Sequence, residues 1–351
     1  MLRIAFIINT AGQVNFHKNI ISKLIEHGHS ITVLARDHGE TITLLNEIGM
    51  TYDSYFKAPA GKATKLITFP VAVLSMCELL GKRAVDLIVT FGIDGAFASR
   101  LLGIPSVVFT DSEPTPIQLL MLVPTADVII TPSCFRKNLG KKHIKVNGYK
   151  ELSYLHPTIF EPNQNVLKLM GLDEEDEYAI LRFNAFDCVH DFGVKGIGTE
   201  QKRRIAAALS QHLRVFISSE SPLPPDLERF SLQIPKSRIH DAIYYAKLVF
   251  GDTQTMITEA GILGTPAVRC NSFVGDNDMG NFMELESQYG LVLNFRNPDE
   301  ALKKAIEIAT SSTAKKEWHQ KRARLLSEKI DMVDFMVGSI EKYAPRHPAT
   351  C

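Results

Sequence analysis

Neither sign of charge is in excess in this sequence: Lys plus Arg and Asp plus Glu each number 39, and the formal net charge is zero. No bulk field exists to hold a polyanion, which argues against nucleic acid as a main partner. Cysteine is scarce. The thiols Cys77, Cys134, Cys188, Cys270 and Cys351 are odd in number and scattered, without a CxxC pair or a metal-ligand spacing. A disulfide framework and a zinc motif are thereby excluded, and a reducing cytoplasm fits. Long apolar runs are missing too. The first, 2–8, stops at Asn9 and Thr10 and reads as a strand, not a signal peptide. The longest, 66–80, is broken by Pro70, Ser75 and Glu78 and falls short of the ~20 residues of a membrane span. Finally, the turn after the first strand, Asn9-Thr10-Ala11-Gly12-Gln13, lacks the GxGxxG spacing, and the chain has no GxxxxGK[ST] loop. These two absences argue against a nicotinamide dehydrogenase and exclude a P-loop phosphotransferase.

What is present is an ordinary globular composition, 45% apolar and 22% charged, over 351 residues, enough for two domains with separate cores. Short β-branched runs alternate with helical spacing: LRIAFII (2–8), SITVLA (30–35), 51–55, DLIVTF (86–91), PSVVFT (105–110) and DVIITP (127–132), with helices near 16–25, 39–48, 64–82 and 96–102. The rhythm breaks over 148–176 at Pro157, Pro162 and an acidic run. It resumes with EYAILRF (177–183), LRVFISS (213–219), KLVFGD (247–252), TPAVRC (265–270) and LVLNF (291–295), followed by helices to about Tyr343. Continuous apolar strands separated by helices imply parallel sheets covered on both faces. The expected architecture is therefore two doubly wound Rossmann-like α/β domains facing an interdomain cleft: 1–150, a linker region 151–176, 177–326, and C-terminal helices 327–351 whose apolar residues Met332, Val333, Phe335, Met336, Val337 and Ile340 need cover. Ligands of such sheets bind beyond the carboxyl ends of the strands.

Three groups of residues fall at such ends. In GDTQTMITEAGILGTPAVR (251–269) a strand runs into a helix expected to begin at Thr253, with Gln254 and Thr255 in its first turn. Its unpaired N–H groups, hydroxyls and positive end suit a diphosphate, with Glu259 placed for a ribose. On spacing alone, Thr253 as a plain N-cap and Glu259 as a surface residue fit equally well. The loop RFNAFDCVHDFGVKG (182–196) gathers Arg182, Asn184, Asp187, His190, Asp191 and Lys195, where a cation can balance a leaving nucleoside diphosphate. In the N-terminal half, Asn9, Thr10, Asn15 and His17 follow one strand, Asp94 a second, and Asp111, Ser112 and Glu113 a third. His17 or Asp94 can serve as base for an acceptor hydroxyl, whereas Asp94, Asp111 and Glu113 are the carboxylates a proton-returning epimerase needs. Asp276-Asn277-Asp278 has a DxD form but sits in a Gly-rich loop, and no metal is expected. His27 and His29 are expected to cap a helix or face solvent.

The phrase ITEAGILGTPAV (257–268) resembles the nucleotide-sugar signature of GT-B fold glycosyltransferases and of non-hydrolysing UDP-N-acetylglucosamine 2-epimerases, and LIEHGHSITVLARD (24–37) resembles the helix-to-strand passage of an N-terminal GT-B domain. Through IHDAIYYAKLVFGD (239–252), LRFNAFDCVHDFG (181–193) and ADVIITP (126–132) the whole chain is similar to an uncharacterised bacterial and archaeal family of GT-B-like proteins. The resemblance implies a GT-B-like fold, C-terminal helices 327–351 returning to the first domain, a diphosphate at the helix near Thr253, Glu259 on the ribose, and Arg182 and His190 as donor contacts. Relatives commonly carry glycines where this chain has Gln254 and Thr255, which narrows the phosphate approach.

The expected activity is a metal-independent glycosyltransferase with no cofactor, taking a nucleotide diphosphate sugar, UDP-linked, onto a carbohydrate or lipid-linked acceptor in cell-surface polysaccharide or glycolipid synthesis. A 2-epimerase and a non-catalytic nucleotide-sugar-binding protein are the alternatives. A further expectation concerns 57–83, where Lys57, Lys62, Lys65, Lys82 and Arg83 flank an apolar helix. Peripheral contact with an anionic membrane requires Phe69, Val73 and Met76 to be exposed; the alternatives are a helix packed on the sheet or on a second subunit of a homodimer.

Overall fold

The computed structural model describes residues 1–57, 64–183, 197–219 and 222–345. The chain divides into two compact units, Met1–Tyr154 with the residues from Ile330 onward, and Leu155–Lys329. The first holds seven parallel strands: β1 (Arg3–Ile8), β2 (Ser30–Asp37), β3 (Asp53–Lys57), β4 (Leu87–Phe91), β5 (Ser106–Phe109), β6 (Val128–Pro132) and β7 (His143–Val146), in the order β3-β2-β1-β4-β5-β6-β7. The order reverses between β1 and β4. Right-handed crossovers then put helices Ala11–Glu26 and Thr41–Glu47 on one face and Thr64–Gly81, Ile93–Leu102 and Pro116–Thr125 on the other. The second unit holds β8 (Tyr178–Arg182), β9 (Arg214–Ser218), β10 (Leu248–Gly251), β11 (Ala267–Cys270) and β12 (Val292–Phe295), also all parallel, in the order β12-β11-β10-β8-β9. Here the reversal lies between β8 and β10.

Three elements of this arrangement correct the expectations. Residues 155–176 are no linker: Leu155, Val166, Leu167, Met170 and Leu172 are buried in the second unit, and Asp241 accepts the Asn163 N–H at 2.8 Å. Helix Thr64–Gly81 does not offer Val73 and Met76 to a membrane. Both are buried against Ala5, Ile7, Leu34 and Ile88 of the sheet, and Phe69 is half-buried with its ring edge-on to Phe97. Of its basic flank, Lys57 pairs with Asp37, Lys82 with Glu78 and Arg83 with Asp53, while Lys62 and the Lys65 side chain lie outside what is described. Among the described residues no helix is long and apolar enough to cross a membrane.

Helix Met332–Tyr343 belongs to the first unit and lies along Ala11–Glu26. Asp331 caps it by accepting the N–H groups of Val333 and Asp334, and Met332, Val333, Met336, Val337 and Ile340 are buried. Lys23 pairs with Asp334. Glu341 accepts from His27 Nδ1 at 2.7 Å and His29 Nε2 at 3.1 Å, so these histidines tie the C-terminal helix down and do not simply face solvent. Those three residues also form a group whose ligand atoms lie within 4.8 Å of one another. His29 Nδ1 accepts the Leu2 N–H, which leaves the proton of the neutral ring on Nε2 and denies a metal that lone pair.

Candidate functional site

In the second unit the strand order reverses between the paired strands β8 and β10, whose ends lie close together. A Cβ on Gly251 would stand 2.2 Å from the Arg182 carbonyl oxygen, so the end of β10 can lie against the end of β8 only with glycine there. The helix that follows runs from Thr255 to Leu263, two residues later than expected, and Gln254 at its N-cap contributes no side-chain cap. Among the described residues no side chain caps the N–H groups of its first turn. Just before it, the Thr253 hydroxyl oxygen is buried without a hydrogen-bond partner, while the rest of Thr253, with Gln254 and Thr255, is partly exposed. The plain N-cap alternative for Thr253 is therefore not what the fold uses. Helix Thr255–Leu263 ends at Gly264 with φ +75°, a left-handed turn that a side chain would strain against Arg322.

Beneath this turn is a polar layer that sequence reasoning missed. Asp252 is buried, accepts the Ile197 N–H at 3.2 Å and stands 3.9 Å from Lys202 Nζ, itself buried 5.5 Å from the Phe183 ring centre. Lys202 is 50 residues from Asp252 in sequence, on helix Thr199–Leu209, and only the fold brings the two together. Glu259 is not a surface residue. It is 5% exposed and its Oε1 accepts from His240 Nε2 at 3.0 Å. In a helix the side chain leans back toward the N-terminus, so Glu259, in the second turn, reaches toward the uncapped end. Arg182, half-buried at the end of β8, donates from Nη1 to the Ser218 hydroxyl at 3.0 Å. Asn184, Asp187, His190, Asp191 and Lys195 lie outside the described residues. In the acidic triplet, Asp278 is buried in an ion pair with Arg269 and accepts the Met279 N–H.

The carboxyl edge of the sheet in the first unit carries polar residues on or after several of its strands. Asn9, after β1, donates to Asp94 Oδ2 at 2.7 Å and accepts from the Tyr55 hydroxyl of β3 at 2.6 Å. Asp94 is half-buried in the first turn of helix Ile93–Leu102. Burial raises its pKa above the usual carboxylate range, and Arg36 on β2, which lies over the Phe56 ring, pulls it partly back. Asp111, in contrast, is buried against Lys150 Nζ at 2.5 Å, and Lys150 also meets Glu151 at 3.3 Å. Burial acts to lower the Lys150 pKa, but the two carboxylates outweigh it and the net shift is upward, so the ammonium is retained. Glu113 is buried and accepts the Arg136 N–H, joining the segments after β5 and β6. The structure thus brings Asn9 and Asp94 together and commits Asp111 and Glu113 to ion pairs and loop closure. Lys150 and Glu151 went unread because they sit where a linker was expected.

His17 does not meet an acceptor. It is fully buried between Phe6 and Phe16, and its Nδ1 donates to the Gln13 carbonyl at 2.9 Å. Burial lowers its pKa from 6.5 to about 3, so the ring is neutral. In the unfolded chain it titrates near 6.5, so between there and about 3 the unfolded state binds the extra proton and stability falls as pH falls. The expected slope from this group is about 1.4 kcal/mol per pH unit. Urea titrations at pH 7 and pH 5 should show that slope, and His17→Leu should lack it.

A family profile described as "Protein of unknown function (DUF354)" matches residues 2–277. The chain belongs to the DUF354 family. No curated protein matches this DUF354 sequence. Solved structures do resemble its fold over nearly the full length. A Staphylococcus aureus MnaA–UDP co-structure has a TM-score of 0.72 at 10% identity, covering 98% of this chain and 97% of that one. A Listeria monocytogenes protein described as a putative UDP-N-acetylglucosamine 2-epimerase has 0.71 at 14%, covering 99% of each chain. The spinosyn forosaminyltransferase SpnP has 0.63 at 12%, covering 97% and 99%. At such identities the likeness is one of fold, and the DUF354 chain is an α/β protein of the GT-B-like class with two Rossmann-like units.

Proposed function

We propose that the protein is a metal-independent glycosyltransferase whose donor is a nucleotide diphosphate sugar, UDP-linked, serving polysaccharide or glycolipid synthesis. The observation that carries this reading is the turn at the β8/β10 reversal, where an uncapped helix N-terminus and the buried, unpartnered Thr253 hydroxyl converge. A diphosphate satisfies both, and the helix end favours the charge that develops on it as it leaves. Asp94 takes the proton of the acceptor hydroxyl while the acceptor oxygen bonds to the anomeric carbon, and the bond from that carbon to the diphosphate breaks to release the nucleotide. A single carboxyl with raised proton affinity suits this one-base chemistry. An epimerase needs acid–base groups on either side of the sugar, and Asp111 and Glu113 are already engaged.

Calorimetric titration with UDP tests the nucleotide site. Thr253→Val should weaken binding by about 0.5–1.5 kcal/mol and Glu259→Ala by about 1.5–3 kcal/mol. Unchanged affinity in both folded variants, or no binding by the parent protein, removes the reading. Incubation with nucleotide sugars alone separates the classes: a changed sugar without acceptor marks an epimerase, and binding without turnover under any acceptor marks a binding protein.

A further inference from the structure

At the carboxyl edge of the first unit one cation stands without the partner that its burial calls for. Arg36, near the end of β2, is half-buried, and its Nε is enclosed without a hydrogen-bond partner. Among the described residues its guanidinium makes no hydrogen bond and no ion pair; it lies over the Phe56 ring, 5.5 Å from the centre. Buried N–H groups are ordinarily satisfied, and a guanidinium stacked on a ring keeps its fork of donors free at the rim. The charges around it are already engaged. Asp37 pairs with Lys57 at 3.7 Å, and Lys150 is held by Asp111 and Glu151. The stretch 58–67 after β3, whose side chains lie outside what is described, contains Lys62 and Lys65 and no acidic residue, so it brings no counter-charge. The fold also puts Arg36 beside the proposed base. Between Ala35 and Arg36, which face Ser54 and Phe56 of β3, the register slips with Tyr55 as the extra residue, a bulge of the kind that re-aims side chains. Tyr55 sends its hydroxyl to Asn9, which holds Asp94. Phe56, the ring under Arg36, packs against the cluster that contains Tyr55 and Ala98, the latter on the same helix as Asp94. Asp94 feels the Arg36 charge although no ion pair joins them, so cation and carboxylate stand apart.

We propose that Arg36 holds an oxyanion of the acceptor, a carboxylate or a phosphate, next to the hydroxyl whose proton goes to Asp94. The proposal rests on the glycosyltransferase reading with Asp94 as base, and it names the acceptor class which that reading leaves open: an acidic sugar or a phosphorylated one. Either oxyanion can accept two parallel N–H bonds from the guanidinium fork, whereas a neutral acceptor leaves the charge unmatched. Bound there, the oxyanion also offsets the charge that pulls Asp94 toward its ionised form, so the base gains proton affinity once the acceptor is in place.

Three probes that share one ring decide the matter: methyl glucoside, methyl glucuronide, and methyl glucoside phosphorylated on its primary hydroxyl. Titrations of the full chain are followed at the side-chain Nε–H resonance of Arg36 in proton–nitrogen correlation spectra, assigned by its loss in Arg36→Gln. At least one anion should shift that resonance and bind about 10-fold or more tightly than the neutral glucoside. Which anion does so separates an acidic sugar from a phosphorylated acceptor. Arg36→Gln should abolish the preference, and Arg36→Lys, which keeps the charge without the fork, should restore part of it. An equal response to all three probes, no response included, overturns the proposal. So does a preference that survives Arg36→Gln; its loss in Lys62→Gln with Lys65→Gln would then assign the anion to that stretch. Calorimetric titration of the same parent protein with UDP keeps the failures apart. A parent that binds UDP and ignores the anions loses only this inference, whereas one that binds the anions through Arg36 and no UDP keeps the oxyanion site and loses the glycosyltransferase reading.

Discussion

Asp278→Ala should lower the stability of the protein by about 3–5 kcal/mol, the usual cost of removing one partner from a buried ion pair. Arg269 lies within β11 and is wholly buried, its guanidinium 3.5 Å from the centre of the Phe282 ring and paired with Asp278. Burial pushes the Asp278 carboxyl up and the Arg269 guanidinium down, and each partner pulls the other back toward its charged form. Deleting the carboxylate leaves a buried cation on an aromatic face without its ion-pair partner, with only the field of Glu286 opposing it. Replacing both, as in Arg269→Met with Asp278→Ala, should restore most of the loss, because an apolar pair has no desolvation to repay. Urea denaturation of the two variants measures this. An Asp278→Ala protein within about 1 kcal/mol of the parent would mean that the pair carries little of the second unit's stability. The same variant bears on the acidic triplet: with Asp278 committed to Arg269, glycosyl transfer should be indifferent to a chelator, whereas a divalent ion held by Asp276 and Asp278 would make it chelator-sensitive.

The strands were legible because each is a short apolar run in a doubly covered parallel sheet, and such runs need no partner to be recognised. Elements without that signature were missed. β7 reads His143-Ile144-Lys145-Val146, an edge strand with only Val146 buried. Helix Pro116–Thr125 starts and nearly ends with proline and has apolar residues on every side, so no helical period stands out. Gly280–Ser287 follows a glycine-containing loop and opens with glycine. At the site, the hydroxyl of Thr253 imitates a cap, which moved the expected helix start by two residues. What one sequence cannot carry is pairing across distance. His240 with Glu259, Lys202 with Asp252, Asn9 with Asp94 and Asp111 with Lys150 are each joined only by the fold, between helices, between a helix and a strand end, or between strand ends far apart in sequence. The right neighbourhoods were readable, and which carboxylates are already occupied was not.

That occupancy singles out Asp94. Asp94→Asn should lower kcat for glycosyl transfer by about 10²- to 10⁴-fold, the range that a positioned base contributes. The substitution keeps the side chain's size and an oxygen to accept from Asn9 Nδ2, so the strand ends should stay joined and only the proton acceptor is lost. Affinity for UDP should be unchanged, because Thr253 and Glu259 belong to the other unit. The pH profile gives a second readout. A base works above its pKa, and burial holds that of Asp94 above the ordinary carboxylate range, so the acid limb of the rate profile should lie higher than for a solvated aspartate. Arg36 acts in the opposite sense. Arg36→Met removes the nearby positive charge, raises the Asp94 pKa further and should move the acid limb to still higher pH. A merely structural Asp94 would shift the melting temperature and leave the limb where it was. Full turnover by Asp94→Asn would pass the role of base to another group on the β1/β4 edge.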